Sequence, residues 1–259
     1  MNTKLTSQFI LAIAISFIFT ACGSNEKKAD STADSSATKM DSTKPAMQET
    51  VGGAVKVAPN LYKLLTDTMG IQIIEATYNP GDSSALHSHA DYAIYVIEGG
   101  TAEFTGKDGT KMTQDMKTGM ENIRAAEVHS VKNVGKTTVK VLLVETTRPQ
   151  GAAPVADPLD ATKVAANRYK LIKDSLGLRI IEATYKPGES SVMHSHPDLA
   201  LYVISGGSNT EFTGKDGKKQ MMQMKSGMAS VTPASTHSVK NMSKETTKVL
   251  LVEVNRPQK

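Results

Sequence analysis

From residue 57 onward the chain alternates short apolar runs with turn residues, and the runs are strand-like in length and composition. Residues 71–78 (IQIIEATY) and 178–185 (LRIIEATY) are rich in β-branched side chains and predict strands. Each is followed by a turn, Asn79-Pro80-Gly81-Asp82 or Lys186-Pro187-Gly188-Glu189. Residues 93–97 and 200–204 predict strands that stop at Gly-Gly, and Lys107-Asp108-Gly109 and Lys215-Asp216-Gly217 read as hairpin tips. Residues 138–144 and 247–252 are almost wholly apolar, the pattern of strands buried on both faces. Many short strands with regular turns and no long helical period predict a sandwich or barrel and exclude a βαβ fold.

These elements are written twice. The 44 residues from Val57 match the 44 from Val164 at 28 positions, so the chain carries an internal duplication. One residue is inserted in the second copy. EFTGKDG then recurs from Glu103 and Glu211, HSVKN from His129 and His237, and KVLLVE from Lys140 and Lys248. Each copy is close to 100 residues, enough for one small domain. The expected boundaries are 53–150 and 158–259, joined by a proline-bearing linker at 151–157.

The N-terminal region is of another kind. Lys4, an apolar stretch over residues 9–19 and the small residues Thr20-Ala21 before Cys22 make the pattern of an export signal. A cysteine in that place resembles the bacterial lipoprotein signal. That resemblance implies removal of residues 1–21, lipid on Cys22, and an exported chain anchored to the cell envelope, on the periplasmic face or the cell surface. Residues 22–52 are rich in Ser, Thr, Asp, Lys and Ala with almost nothing to bury, and predict a disordered tether.

Composition narrows the function. Thirty basic residues against 26 acidic give a net charge of +4, too balanced to argue for nucleic acid. The single Cys excludes a disulfide scaffold and an intrachain zinc site built on cysteines. No nucleophile elbow, phosphate loop or dinucleotide fingerprint is present. With only 5% aromatics and no Trp, the core rests on Ile, Val, Leu and Met. Met112, Met116, Met120, Met221, Met222, Met224 and Met228 suit strand packing, although thioethers also suit soft metals such as copper.

The chemistry concentrates in histidine. All six His fall in the repeats at matching places: His87, His89 and His129 in the first, His194, His196 and His237 in the second. In a strand, residues i and i+2 share a face, so each His-x-His pair can converge on one ion, and a third imidazole from another strand completes a facial set. The alternative is six histidines on turns or bonded in the interior.

These residues resemble the cupin superfamily, in particular its small-barrel cupin-2-type domains. The first cupin motif is carried by Gly81, His87, His89 and Gly100, and again by Gly188, His194, His196 and Gly207. The second is carried fully by Gly227, Pro233, Ser235, His237 and Asn241. In the first copy Gly119, His129 and Asn133 match it, but Ala125 and Glu127 replace the proline and the small residue. The resemblance implies an all-β chain of two tandem double-stranded β-helix (jelly-roll) barrels, a bicupin. It also implies a divalent transition metal in each barrel, with Mn, Fe, Zn, Ni and Cu not distinguished. Both copies lack the usual metal-binding Glu, having Ala93-Ile94 and Ala200-Leu201 in its place. Three-His sites with more open positions are then expected, the second nearer the ordinary arrangement.

Asp91 and Asp198 are candidates for a second shell, a replacement ligand or a turn. Glu127 is a candidate ligand, general base or solvated charge, and Tyr95 and Tyr202 are candidate pocket donors or packing residues. The expected partner is a small polar molecule, acted on by metal-assisted oxygenation, decarboxylation or isomerisation, or simply held; the further alternative is a structural protein whose barrels are relics, with His retained by packing. The two barrels are expected to pack as an intramolecular pseudo-dimer.

Overall fold

The structure, a computed structural model, describes residues 51–151, 155–206 and 209–258. The signal segment, Cys22 and most of the tether lie outside these residues, as do 152–154 of the linker. The tether expected to residue 52 gives way earlier to ordered chain: the Ser88 hydroxyl and amide donate to the carbonyls of Val51 and Gly52. Among the described residues, no helix is long and apolar enough to cross a membrane.

The first repeat runs α1 (Ala54–Val57), β1 (Tyr62–Thr68), β2 (Ile71–Tyr78), β3 (His87–His89), β4 (Asp91–Glu98), β5 (Gly100–Gly106), β6 (Lys111–Met116), β7 (Glu121–Arg124), β8 (Glu127–Asn133) and β9 (Val139–Thr146). The second repeats that order as α2 (Ala161–Val164), β10 (Tyr169–Ser175), β11 (Leu178–Tyr185), β12 (His194–His196), β13 (Leu199–Ser205), β14 (Thr210–Gly214), β15 (Lys219–Met222), β16 (Ala229–Thr232), β17 (Ser235–Asn241) and β18 (Thr247–Val254). Each repeat folds into two antiparallel sheets. Five strands lie in the order β1-β2-β9-β4-β7 and four in the order β3-β8-β5-β6, and the second repeat copies both. The fold is therefore all-β, in two jelly-roll barrels.

The near-continuous apolar runs follow from burial on both faces. Along β9, Val139, Val141 and Leu143 point into the first barrel, whereas Leu142 and Val144 join a second cluster outside it. That outer cluster is shared. Ile71, Ile73, Ala93, Tyr95 and Leu142 pack in it with Leu178, Ile180, Ala200, Tyr202 and Leu250 from the second repeat. A sheet whose outer face is covered by another sheet needs no polar positions, so the period-2 alternation disappears from the sequence.

Two arginines close this contact. Arg148 Nη1 pairs with Asp198 Oδ2 at 2.8 Å, and Arg256 Nη2 pairs with Asp91 Oδ2 at 2.6 Å. Each guanidinium also donates to the other arginine's carbonyl, at 3.3 and 3.0 Å. The same side chains support the two-residue turns at 69–70 and 176–177, where Met69 and Leu176 hold positive φ. Arg148 Nε donates to Met69 O at 2.6 Å and Arg256 Nε to Leu176 O at 2.8 Å. A bulky residue in the left-handed region is costly, and these bonds hold it there.

Candidate metal centres

Strand parity aims the histidines. His87 and His89 alternate around Ser88 on β3 and face inward, and β8 pairs with that strand so that His87 lies opposite His129. In the second barrel His194 lies opposite His237. Each triad places three ligand nitrogens within 4.8 Å of one another. Nitrogens that close surround one ion at metal–imidazole distances of about 2.1 Å after small side-chain adjustment.

The outer nitrogens are already committed. His87 Nδ1 bonds Ala85 O and His194 Nδ1 bonds Val192 O, both at 2.8 Å. His89 Nδ1 bonds Glu145 Oε1 and His196 Nδ1 bonds Glu253 Oε1, both at 2.7 Å. His129 Nδ1 lies 3.5 Å from Glu127 Oε1, and His237 Nδ1 lies 3.2 Å from the Ser235 hydroxyl. Carbonyl and carboxylate partners hold the proton on Nδ1, which leaves the Nε2 lone pairs facing inward. Burial lowers His87 and His194 to about 4 and, with His194 and His196 beside it, His237 to about 3. These three imidazoles are neutral at neutral pH, as metal ligands must be.

In the second barrel His194 Nε2 is buried with no hydrogen-bond partner. An orphaned buried nitrogen costs about 1–3 kcal/mol unless something binds it, so a divalent cation fits this donor set. In the first barrel the equivalent nitrogen accepts from Tyr62 Oη at 3.0 Å, and Tyr62 in turn accepts from Tyr78 at 2.7 Å. The donor sets do not distinguish Mn, Fe, Zn, Ni or Cu.

The outer carboxylates Glu145 and Glu253 were not among the residues expected from sequence. They continue the inward faces of β9 and β18 past Leu143 and Leu251, so the one acid at the end of each KVLLVE run was their signal. The other sequence candidates lie elsewhere. Asp91 and Asp198 are bound to Arg256 and Arg148 in the contact between the repeats and do not reach the triads. Tyr95 and Tyr202 pack in the shared outer cluster, not in the pockets. The reason is that the chain leaves one sheet and enters the other at Ala90 and Pro197. Inward parity is thereby reset, and Tyr92 and Ile94, or Leu199 and Leu201, take the inward positions. Ile94 and Leu201 stand as apolar wall where the motif resemblance placed a Glu. Met116 and Met224 are buried in the barrel interiors, while Met112 and Met221 are exposed.

Glu127 is engaged on several sides. Tyr92 Oη donates to it at 2.6 Å, and Arg124 donates through Nε and Nη2 at 2.7 Å each. Burial pushes this carboxyl up, but the bonds from His129, Arg124 and Tyr92 outweigh it and hold the group far below the usual range. In the second barrel Leu199, Thr232 and Ser235 replace all three members. The consequence is spatial. The second barrel holds a cavity of ≈ 560 Å³, bordered by His196 and His237 and open toward exposed Asp216, Lys218 and Lys219. In the first, two small spaces of ≈ 40 and ≈ 30 Å³ stand in the corresponding region, both lined by Tyr92.

No protein-family model matches this chain, and no curated protein matches it. Solved structures do. AerE from Microcystis aeruginosa superposes with a TM-score of 0.53 at 13% identity, over 75% of this chain and 97% of that one. A variant of Bacillus subtilis oxalate decarboxylase gives 0.51 at 15% identity, over 78% and 71%. A further structure of that enzyme, whose Mn(II) centres its authors studied, gives 0.50 at 15% identity, over 78% and 72%. The chain thus shares the fold of these proteins, and its barrel occurs twice in one chain. Each barrel carries a His triad, so the chain has two donor sets suited to a divalent metal.

Proposed function

We propose that this chain is an envelope-anchored bicupin that holds a divalent metal through His87, His89 and His129 and through His194, His196 and His237, and that takes a small molecule in its barrel. The observation that carries this reading is the pair of buried imidazole triads, each braced from outside by a carboxylate, Glu145 or Glu253. A metal bound there supplies Lewis acidity or oxygen activation. The chain itself fixes the imidazole tautomers, keeps water from the site with an apolar wall, and orients whatever enters. Export and lipid attachment are supported by the order Lys4, apolar stretch, Thr20-Ala21-Cys22. The self-matching contacts of Arg148 and Arg256 support an intramolecular pseudo-dimer.

A non-catalytic reading, capture of a small ligand or metal, is favoured by one observation. Ile94 and Leu201 leave both triads without a carboxylate ligand of their own. Elemental analysis of the purified chain tests the common claim: one metal per triad is expected, and His194→Ala with His196→Ala should remove one. A chain with no metal after loading overturns it. Turnover of a bound ligand with dioxygen uptake separates enzyme from capture module. For the anchor, Cys22→Ser should abolish detergent partitioning.

A further inference from the structure

The two barrels differ at a few inward positions, and the differences are concerted. Besides the loss of Tyr92, Arg124 and Glu127, two apolar residues of the first barrel become threonines in the second. Ala102 corresponds to Thr210 and Val139 to Thr247. Both threonines line the large cavity, and they are 2% and 3% exposed. Neither hydroxyl has a hydrogen-bond partner. A buried threonine that bonds nothing is worse for stability than the Ala or Val its sister barrel uses, by the cost of stripping water from a hydroxyl. The first barrel shows that the fold has no need of them.

Register places these threonines at the opposite end of the cavity from the triad; each hydroxyl oxygen is shielded in this rotamer and meets a ligand after a turn about χ1. On β17, His237 pairs with Gly214 while Asn241, four residues on, pairs with Thr210. Asn241 Nδ2 reaches Tyr185 O at 2.9 Å, and Tyr185 pairs with Thr247, so both threonines meet around Asn241. Four strand residues span about 13 Å. Between the two ends Leu199, Leu201, Phe212, Met222, Val249 and Leu251 give the wall its apolar part, with Ser230 and Thr232 beside them. At the triad end the donors are imidazoles, and the nearby Glu253 is paired with Arg179 at 2.8 Å. A dication held there would have its charge uncompensated by any ligand of the protein, so the entering group that suits it best is an anion.

We infer that the second barrel, and not the first, is the ligand site, and that its ligand is a small carboxylic acid with an apolar body and a hydroxyl or carbonyl at its far end, which Thr210 and Thr247 bind. The inference rests on the metal-binding reading of the second barrel and adds the ligand class and the residues that select it.

The test uses the full, metal-loaded chain and two probes, ω-hydroxyoctanoate and octanoate, titrated calorimetrically with metal content measured in parallel. The natural chain should prefer the hydroxy acid by about tenfold, the worth of one or two hydrogen bonds. Thr210→Ala with Thr247→Val, the residues of the first barrel, should bind both probes equally, keep its metal and melt at a higher temperature when ligand-free. Leu199→Tyr with Thr232→Arg and Ser235→Glu should bind neither probe. Equal binding of the two probes by the natural chain, binding of neither, or a preference that survives the threonine substitutions overturns the inference. Loss of metal with the hydroxy-acid preference intact counts against the metal reading alone.

Discussion

Replacing Glu253 by Gln changes one oxygen to an amide nitrogen, and the surroundings make its consequences calculable. Glu253 is 1% exposed and accepts from His196 Nδ1 at 2.7 Å and from Arg179 Nη1 at 2.8 Å. Glutamine can still accept from one of them, but its amide then turns two N–H donors toward the other, which has no acceptor to offer. Arg179 keeps Asp160 at 3.1 Å, so the damage is less than that of a wholly unpaired buried charge, about 3 kcal/mol of stability. If the amide oxygen stays with Arg179, the His196 tautomer is no longer held, and metal affinity should fall about 10- to 100-fold, equivalent to about 1.4–2.7 kcal/mol. Glu145 offers an internal control. It bonds His89 Nδ1 at 2.7 Å and the Ala90 amide at 3.4 Å with no guanidinium beside it, because Gln72 stands where the second repeat has Arg179. Glu145→Gln should therefore weaken the first centre by a similar factor while costing only about 1 kcal/mol of stability. Competition against a chromophoric chelator measures the first quantity and urea unfolding the second. Unchanged metal affinity in both variants would refute the assignment of these carboxylates as the holders of the imidazoles.

Three further outcomes are expected. Arg148→Ala removes the ion partner of the half-buried Asp198, which keeps bonds from the Ala234 amide and Gln258, and frees the turn at Met69, so it should cost about 1–3 kcal/mol in urea unfolding, against less than about 1 kcal/mol for an exposed pair such as Lys218–Asp216. In metal-free protein the folded state holds His87 and His194 near 4 and His237 near 3, below the unfolded value of about 6.5. The unfolded chain then binds more protons between these limits, so the stability these residues contribute is whole above about pH 6.5 and is lost as pH falls toward 4 and then 3; a urea midpoint that is flat over that window would contradict the burial argument. Finally, Tyr92→Leu with Arg124→Thr and Glu127→Ser should open the first barrel toward the ≈ 560 Å³ of the second, which a crystal structure of the variant would show directly.

Much of this architecture is written locally. IQIIEATY and LRIIEATY become β2 and β11 over the residues read from sequence, and the His-x-His pairs become short inward-facing strands. Local pattern could not show where the chain passes from one sheet to the other. That step at Ala90 and Pro197 is why Asp91 and Tyr95, counted along one imagined strand from His89, face away from the triad. Nor could it show which partner an isolated charge meets. Glu145 lies 56 residues from His89, and Asp91 lies 165 from Arg256, so both contacts exist only once the sheets have stacked. The closure of the first barrel was half visible: Glu127 stood out, but its lock on Tyr92 and Arg124 depends on three strands meeting.

The shared outer cluster has a consequence for how the protein is made. During synthesis the first barrel emerges with Ile71, Ile73, Tyr95 and Leu142 on an uncovered sheet face, and their cover arrives only with β11, β13 and β18. Until those strands arrive, the exposed apolar sheet is free to pair with the same face of another copy. Arg256, which completes the contact, follows the last of those strands, so a ribosome that stalls or a protease that cuts before β18 leaves a sticky half-molecule rather than a smaller working one. The joining of two barrels in one chain thereby makes folding nearly all-or-none, because the first barrel's outer face is covered only when β18 has taken its place.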